Sequence, residues 1–518
     1  MEKYLDNKKN LIIAYLILLI IVVYAYSGMF NNYFFSDDFA LLEQAINIFH
    51  NAYTEYVSQP VLIFSTTIYT TYIINLSIFG VNPIGYQITN LVIHITNILL
   101  IGFFISMLFN SKILGFLTCM FWGLSDKYSE SVLEIYCRGR TTCLLFYLLT
   151  LIFFIKYLKS PSDKKYYYIS ILTSTLAYVS NWNSIMLLPL LAITLSFFKQ
   201  EKIFHTLRTN FLSFIPFVVI FLLYSICQLL FKSSHPPSDY YNLDFSFLTN
   251  FSGNILNYIG LYYLHLESIV AGIIIIFILF AGIIFSKKQE IRFAIIWIFV
   301  TMLPTVLIPF QSPRYQYIPT IGFSLLMAYC VQYFLVHKIY SKFEKFKFVS
   351  LSFVILLYFF LCIPDIQKDE QYRDFEGRWC KQIVMEFEKT YDKIPKDTAF
   401  FFIEATSPNI TDLRVEYFSQ DQHNFFNRKQ KYLYHRRYGI NEQIYFKDLI
   451  AFTTFRKGDM KFEFQERQNF SNKKQLDKIL LHIGHKFVYK ISNIHKLLND
   501  LPEKLYIFYG KITKRKLI

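Results

Sequence analysis

A succession of long apolar runs constrains this chain more than any other feature. The first run covers residues 11–29, and others follow it, separated by short loops rich in lysine. About 20 apolar residues are what an α-helix needs to cross the hydrocarbon of a bilayer. Hydrophobic residues make up 54% of the 518 residues, which is high for a soluble protein of this size. The sequence therefore predicts an α-helical polytopic membrane protein.

The runs predict about 11 transmembrane helices by length and hydropathy. They cover residues 11–29, 84–109, 113–125, 141–157, 166–180, 184–198, 209–231, 267–286, 293–310, 320–336 and 348–364. Two further segments, 61–79 and 253–266, are ambiguous. Segment 61–79 is apolar but rich in Thr, Tyr and Ser, and such segments favour the membrane–water interface. We expect both to lie at the outer interface, and the alternative that either is a true span stays open.

The lysines predict the orientation of the chain. Lys3, Lys8 and Lys9 precede the first span, and cytoplasmic loops carry the excess of Lys and Arg. With the N-terminus in the cytoplasm, every short Lys-rich loop falls on that same side. Residues 365–518 then lie outside the cytoplasm.

The composition changes after Pro364, which predicts two domains, residues 1–364 in the membrane and residues 365–518 outside it. The second part is polar and rich in aromatic residues. Alternation at Phe400–Ile403 and Lys461–Phe464 favours strands, and 475–483 favours a short helix. We expect a small α/β or α+β domain. Its basic charge suits anionic lipid headgroups or an acidic acceptor, and a merely solvated basic surface explains it equally well.

Several other classes of protein do not fit. The net charge is +15, but the basic residues are spread over short loops and no nucleic-acid-binding motif accompanies them. Seven cysteines show neither a CxxC pair nor metal-ligand spacing, so disulfide scaffolding is not expected. The first apolar run is too long for a cleavable signal peptide and lacks a small-residue cleavage site.

Two adjacent carboxylates, Asp37 and Asp38, follow the first span. Ionisable groups this close to a bilayer are costly and mark functional sites. Ser36 and Asp37 can equally cap the helix that follows, because Ser and Asp accept hydrogen bonds from free N–H groups at a helix start. The local pattern leaves both readings open.

On the predicted topology, three charged features share the outer face: Asp37-Asp38, the loop with Glu130, Arg138 and Arg140, and Arg314. A carboxylate can take the proton of an acceptor hydroxyl, and guanidinium groups bind a departing phosphate with two donors. This pattern suits transfer of a group from a lipid phosphate. A loop ion pair and a snorkelling Arg314 are the structural alternatives.

The order of motifs resembles the GT-C superfamily of polytopic glycosyltransferases, in the branch related to protein O-mannosyltransferases and their bacterial relatives. The residues that carry the resemblance extend over roughly the first 340 residues. They are Asp37-Asp38, the stretch Gly80-Val81-Asn82-Pro83-Ile84-Gly85-Tyr86 with His94, then Glu130-Ser131-Val132, Gly139-Arg140, and Arg314-Tyr315-Gln316-Tyr317-Ile318-Pro319.

The resemblance implies a glycosyltransferase of the hexosyltransferase class that uses a polyprenyl-phosphate sugar as donor. It would act at the outer face on a protein or glycan acceptor, with inversion, in the inner (cell) membrane of a bacterium. Asp37 and Asp38 would be the catalytic carboxylates, and Asp38 can alternatively ligate Mg²⁺ or Mn²⁺; no other cofactor is expected. The predicted substrate-binding residues are His94, Glu130, Arg138, Arg140, Arg314, Tyr315 and Tyr317.

Departures from the family pattern keep two alternatives open. Where relatives carry His-Pro-x-His-x-Glu, this chain has Ser125-Asp126-Lys127-Tyr128-Ser129-Glu130. Gly-Arg-x-Asp is replaced by Gly139-Arg140-Thr141-Thr142. These losses favour an inactive scaffold or assembly protein. A transporter or flippase is the other alternative, but charges gathered on one face do not fit the mid-membrane sites of transporters.

Overall fold

The computed structural model describes residues 7–35, 37–231, 244–259, 268–308, 312–336 and 344–390, together with five short strands farther along the chain. Helices follow one another through the described part of the first 390 residues, which confirms the predicted helical fold. They are α1 (Lys8–Ala25), α2 (Asp38–Ser58), α3 (Thr66–Phe79), α4 (Pro83–Phe109), α5 (Lys112–Gly123), α6 (Glu130–Leu133), α7 (Arg138–Lys159), α8 (Lys164–Tyr178), α9 (Leu187–Lys199), α10 (Ile203–Thr209), α11 (Phe211–Leu230), α12 (Ser246–Tyr258), α13 (Ile269–Phe285), α14 (Gln289–Val306), α15 (Thr320–Val336) and α16 (Glu344–Thr390).

Six of the described helical segments are long and apolar enough to cross a membrane. They are Leu62–Phe79, Pro83–Phe109, Ile135–Lys159, Trp182–Lys199, Phe211–Leu230 and Gln289–Val306. Four shorter helices are also apolar: Lys9–Ala25, Lys112–Gly123, Ile269–Phe285 and Thr320–Phe334. Helix α8 covers most of the predicted span 166–180 but belongs to neither group; two lysines and three tyrosines open it. The multi-pass character is confirmed.

Helix α3 has the hydropathy of a span, but its contacts lie at one end of the helix bundle. The Thr67 N–H donates to the Val179 carbonyl, just beyond the end of α8, at 3.2 Å. Farther along α3, Thr71 and Asn75 accept hydrogen bonds from Arg138, the first residue of α7, at 3.2 and 2.7 Å. Both parts of α3 therefore contact the same end of the α7–α8 hairpin. The interfacial position of this segment stays a prediction, because its apolar length also suits a membrane span. The second ambiguous segment, 253–266, coincides only with the end of α12, and residues 260–267 lie outside the described residues.

The chain divides into two compact units. The first comprises Met1–Asn32 and Asn51–Asp374, and the second Tyr33–His50 and Phe375–Ile518. Helix α2 is kinked at Asn51 (φ −142°, ψ 53°). Helix α16 continues through Pro364, and the first unit extends to Asp374 rather than to the predicted residue 364. The apolar run ends at Pro364, but Ile366 and Glu370 are still buried in the first unit.

The described part of the second unit contains five strands, β1 (Thr398–Glu404), β2 (Arg414–Phe418), β3 (Asp448–Thr454), β4 (Phe464–Phe470) and β5 (Leu505–Gly510). Strand β1 pairs antiparallel with β2 and parallel with β3, and β4 pairs antiparallel with β5. The predicted strand Phe400–Ile403 lies within β1. The predicted strand Lys461–Phe464 meets β4 only at Phe464, and the predicted helix 475–483 lies outside the described residues.

Candidate functional site: an arginine cluster at one end of the helix bundle

The segment that carries Arg314 is fixed by hydrogen bonds from buried aromatic side chains. The indole N–H of Trp122 donates to the Tyr317 carbonyl, and that of Trp297 donates to the Ile318 carbonyl, both at 3.0 Å. Both tryptophans are buried, and a buried indole N–H needs such an acceptor. These bonds set the position of the 3₁₀ turn Pro313–Gln316, which precedes α15.

Two predicted substrate-binding residues, His94 and Tyr317, lie inside the protein rather than at its surface. The His94 Nδ1 and the Tyr317 hydroxyl are 3.1 Å apart, and the His94 Nε2 is 3.3 Å from the Gly123 carbonyl. Asn97 also donates to the Tyr317 hydroxyl, at 3.1 Å. Both His94 and Tyr317 are almost fully buried. Their contacts hold α4 to the Arg314 segment, so the structure gives them a positioning role.

Glu130 holds Arg314 in place at the surface of this framework. Its Oε2 accepts hydrogen bonds from the Arg314 backbone N–H at 3.1 Å and from the Ser312 hydroxyl at 2.6 Å. Its Oε1 is 3.6 Å from the Arg314 Nη1, which also donates to the Tyr136 hydroxyl at 3.0 Å. One carboxylate thus binds both the backbone and the side chain of Arg314. This contact defines a common site for the predicted residues Glu130 and Arg314.

Arg140 and Arg314 both lie against the ring of Tyr315. Their guanidinium carbons are 5.0 and 5.9 Å from the ring centroid, within the range of a cation–π contact. We call Glu130, Tyr136, Arg140, Arg314 and Tyr315 the arginine cluster. Within the part of the chain that the structure describes, neither Arg140 Nε nor Arg314 Nε has a hydrogen-bond partner, although both atoms are buried. Two guanidinium groups with unused donors suit a phosphate group.

A second set of charged side chains borders the arginine cluster, and the sequence analysis missed it. Arg373 Nε lies 2.8 Å from Glu134 Oε1, in an ion pair. The Ser129 hydroxyl donates to Asp369. Arg373 and Asp369 belong to the part of α16 beyond Pro364. The sequence signal for them was the uninterrupted helical character after Pro364, which the change in composition concealed.

Burial raises the pKa of Glu134 to about 7, and the neighbouring Glu130 adds to this effect, whereas Arg373 opposes it. The folded state therefore binds the Glu134 proton more tightly than the unfolded chain does. The resulting stabilisation is full below about pH 4.5 and is lost as the pH rises to about 7.

We expect the melting temperature of Glu134→Gln to fall less between pH 5 and pH 8 than that of the unmodified protein. Thermal unfolding in detergent measures this, with the exposed Glu201→Gln as control. An equal pH dependence of Glu134→Gln and the unmodified protein would contradict the expectation.

Arg138, another predicted substrate-binding residue, is fully buried among helices. It donates to Asn90 at 2.6 Å, to the Tyr86 carbonyl at 2.8 Å, and to Asn75 and Thr71 of α3. Its guanidinium also lies over the ring of Tyr72 at 5.0 Å. These contacts join α3 and α4 to the start of α7. The structure thus gives Arg138 a role in helix packing, apart from the arginine cluster.

The two predicted catalytic carboxylates differ in their surroundings within the second unit. Asp37 is exposed. Asp38 is fully buried, and its Oδ2 accepts a hydrogen bond from the Phe35 N–H at 3.2 Å. The Asp38 N–H in turn donates to the Phe35 carbonyl at 3.2 Å. Asp38 therefore stabilises the turn that starts α2, whereas Asp37 faces solvent; Ser36 lies outside the described residues.

Asp38, the predicted Mg²⁺ or Mn²⁺ ligand, uses one oxygen of its carboxylate to accept the Phe35 N–H. In the described ranges, no group of three or more His, Cys, Asp or Glu side chains is arranged to hold a metal ion. The role of Asp38 as a metal ligand stays a prediction.

No protein-family model matches the chain, and no curated protein matches it. Among solved structures, the chain is similar to the crystal structure of ArnT from Cupriavidus metallidurans bound to undecaprenyl phosphate. The two share 10% sequence identity, the alignment covers 75% of this chain and 82% of that chain, and the TM-score is 0.44. The function proposed below rests on the side-chain contacts of this chain.

Proposed function

We propose that this protein is a GT-C-type glycosyltransferase that moves a sugar from a polyprenyl phosphate to an acceptor hydroxyl, with inversion. The observation that carries the proposal is the arginine cluster, in which Arg140 and Arg314 share the Tyr315 ring and keep unused donors. The cluster lies at one end of apolar helices of membrane-spanning length. A lipid phosphate at the membrane surface is the ligand that such a site suits best.

The proposed reaction uses Asp37 as the general base and the two arginines of the cluster as the groups that bind the phosphate. The acceptor oxygen attacks the anomeric carbon of the donor sugar, and the bond from that carbon to the phosphate oxygen breaks. The acceptor proton passes to the carboxylate of Asp37 as general base. The polyprenyl phosphate leaves with the bonding electrons, and Arg140 and Arg314 stabilise its negative charge. Glu130 keeps Arg314 oriented toward the phosphate.

The decisive experiment is donor turnover. Purified protein is incubated with a panel of polyprenyl-phosphate sugars and with candidate protein or glycan acceptors, and the transferred sugar is followed by mass spectrometry. We expect one donor to be consumed, with release of polyprenyl phosphate. Passage of the intact lipid across a vesicle membrane without sugar transfer would identify a flippase instead. Binding of the donor without any turnover would favour the scaffold.

We also propose that the N-terminus is cytoplasmic and that residues 365–518 lie outside, in the periplasm of a bacterial cell. The Lys-rich short loops support this orientation. Single cysteines placed at Arg314 and at residue 450 should react with the same membrane-impermeant reagent from the outer side. Labelling of the two positions from opposite sides would contradict the orientation.

The mechanism predicts that metal removal has little effect. Turnover in EDTA is expected to equal turnover in added Mg²⁺ or Mn²⁺, because the buried Asp38 carboxylate binds the Phe35 N–H and the residues we assign to the reaction are guanidinium groups and one base. Initial rates at matched ionic strength measure this. A large loss in EDTA that is restored by Mn²⁺ would return Asp38 to the role of a metal ligand.

A further inference from the structure

A large cavity lies at the opposite end of α7 from the arginine cluster. Its volume is about 1010 Å³. The lining combines apolar, neutral polar and basic side chains: Leu11, Tyr15, Leu99, Phe103, Ser106, Met107, Asn110, Ser111, Lys112, Ile113, Lys156, Lys159 and Gln332. On helix α7, Arg140 of the cluster and Lys156 of the cavity lining are roughly 24 Å apart at 1.5 Å per residue. The cavity is therefore a separate site.

Two lysines, Lys156 and Lys159, bring positive charge to the wall of the cavity. Of the residues that the structure describes, no carboxylate forms an ion pair with Lys156 or Lys159. Their ammonium groups lie against aromatic rings, Lys156 at 5.3 Å from the centroid of Phe103 and Lys159 at 5.5 Å from that of Phe198. Such contacts orient an ammonium group but leave its charge uncompensated. Near a bilayer, an uncompensated charge attracts an anion.

The other walls of the cavity suit the rest of a lipid. Gln332 donates to the Ser111 hydroxyl at 2.9 Å, which fixes polar groups beside the lysines. Leu99 and Phe103 are 40% and 46% exposed and belong to α4, which is long and apolar enough to span a membrane, so they offer an apolar surface for an acyl chain. The cavity thus offers charge, polar groups and an apolar wall in the order of a lipid headgroup and its chains.

We propose that this cavity binds the headgroup of an anionic phospholipid from the Lys-rich, cytoplasmic leaflet. Lys156 and Lys159 contact the phosphate, and the acyl chains follow Leu99 and Phe103. Basic pockets between transmembrane helices on the cytoplasmic side bind such headgroups. The site is independent of the proposed glycosyltransferase reaction, so each can fail without the other.

The test titrates delipidated full-length protein in detergent with phosphatidylglycerol and counts bound lipids by native mass spectrometry. Each lysine is expected to contribute about fivefold in affinity, so Lys156→Gln/Lys159→Gln should weaken binding by roughly 25-fold. The control Lys164→Gln/Lys165→Gln removes the same charge from the neighbouring start of α8, outside the cavity lining, and should bind as the unmodified protein does. Lys156→Arg/Lys159→Arg keeps the charge and should retain most of the affinity, which separates loss of charge from misfolding.

Three outcomes would overturn the proposal. The first is equal binding of phosphatidylglycerol by the unmodified protein and Lys156→Gln/Lys159→Gln. The second is equal affinity for phosphatidylcholine, whose headgroup carries no net charge. The third is equally tight binding of inorganic phosphate alone, which would show that the lysines bind a free anion rather than a lipid.

Discussion

Replacing Asp37 by asparagine is expected to lower turnover by about 10²- to 10⁴-fold, the loss typical of removing a general base. Asparagine keeps the shape of the side chain but cannot accept the acceptor proton. The exposed position of Asp37 makes a large structural effect of this change unexpected, so donor binding should survive. Initial rates and donor binding, measured on the same preparation, separate the two effects.

Two further variants make the Asp37 result specific. Asp38→Asn keeps an oxygen that can accept the Phe35 N–H, so it should lose less turnover than Asp37→Asn. Asp163→Asn makes the same chemical change in an ion pair with Lys165, far along the chain, and should behave as the unmodified protein. Near-normal turnover of Asp37→Asn with an inactive Asp38→Asn would reverse the two roles. Activity in both variants would refute the proposed mechanism.

Arg314→Lys is expected to lower kcat/KM for the donor by roughly 10- to 100-fold, the effect of losing a charge-assisted hydrogen bond. Lysine keeps the positive charge but not the two-pronged geometry that matches a phosphate. It also cannot reproduce the side-chain contacts to Tyr136 and Glu130 together. Steady-state kinetics with varied donor at saturating acceptor, and the reverse, show whether the loss is confined to donor use.

The matched control for this variant is Arg208→Lys, at an exposed position in α10. Its kinetics should equal those of the unmodified protein. Glu130→Gln provides a second comparison. Its amide oxygen can still accept the hydrogen bond from the Arg314 backbone N–H, but the negative charge of the Glu130 carboxylate is lost. We expect Glu130→Gln to raise the donor KM less than Arg314→Lys does. Unchanged donor kinetics in Arg314→Lys would remove Arg314 from the phosphate site.

The local sequence could not separate two neighbouring arginines, Arg138 and Arg140. Side chains two residues apart on a helix point in nearly opposite directions around the axis, about 160° apart. One of the pair must therefore face the interior when α7 packs, and the structure puts Arg138 there among Asn75 and Asn90. Arg140 consequently faces Tyr315. Which face is buried depends on the neighbouring helices, and a short motif does not encode it.

The same limit applies to residues that are distant in the chain. Arg373 follows a change in composition that predicts a new domain, yet α16 continues and brings it to Glu134. By itself the sequence determined the helical membrane fold, because hydrocarbon requires long apolar helices and sets their length. It also indicated Glu130 and Arg314 as charged groups of one face. Only the tertiary structure decided which polar side chains form the arginine cluster and which, like His94 and Tyr317, hold helices together, because burial depends on contacts between segments far apart in the chain.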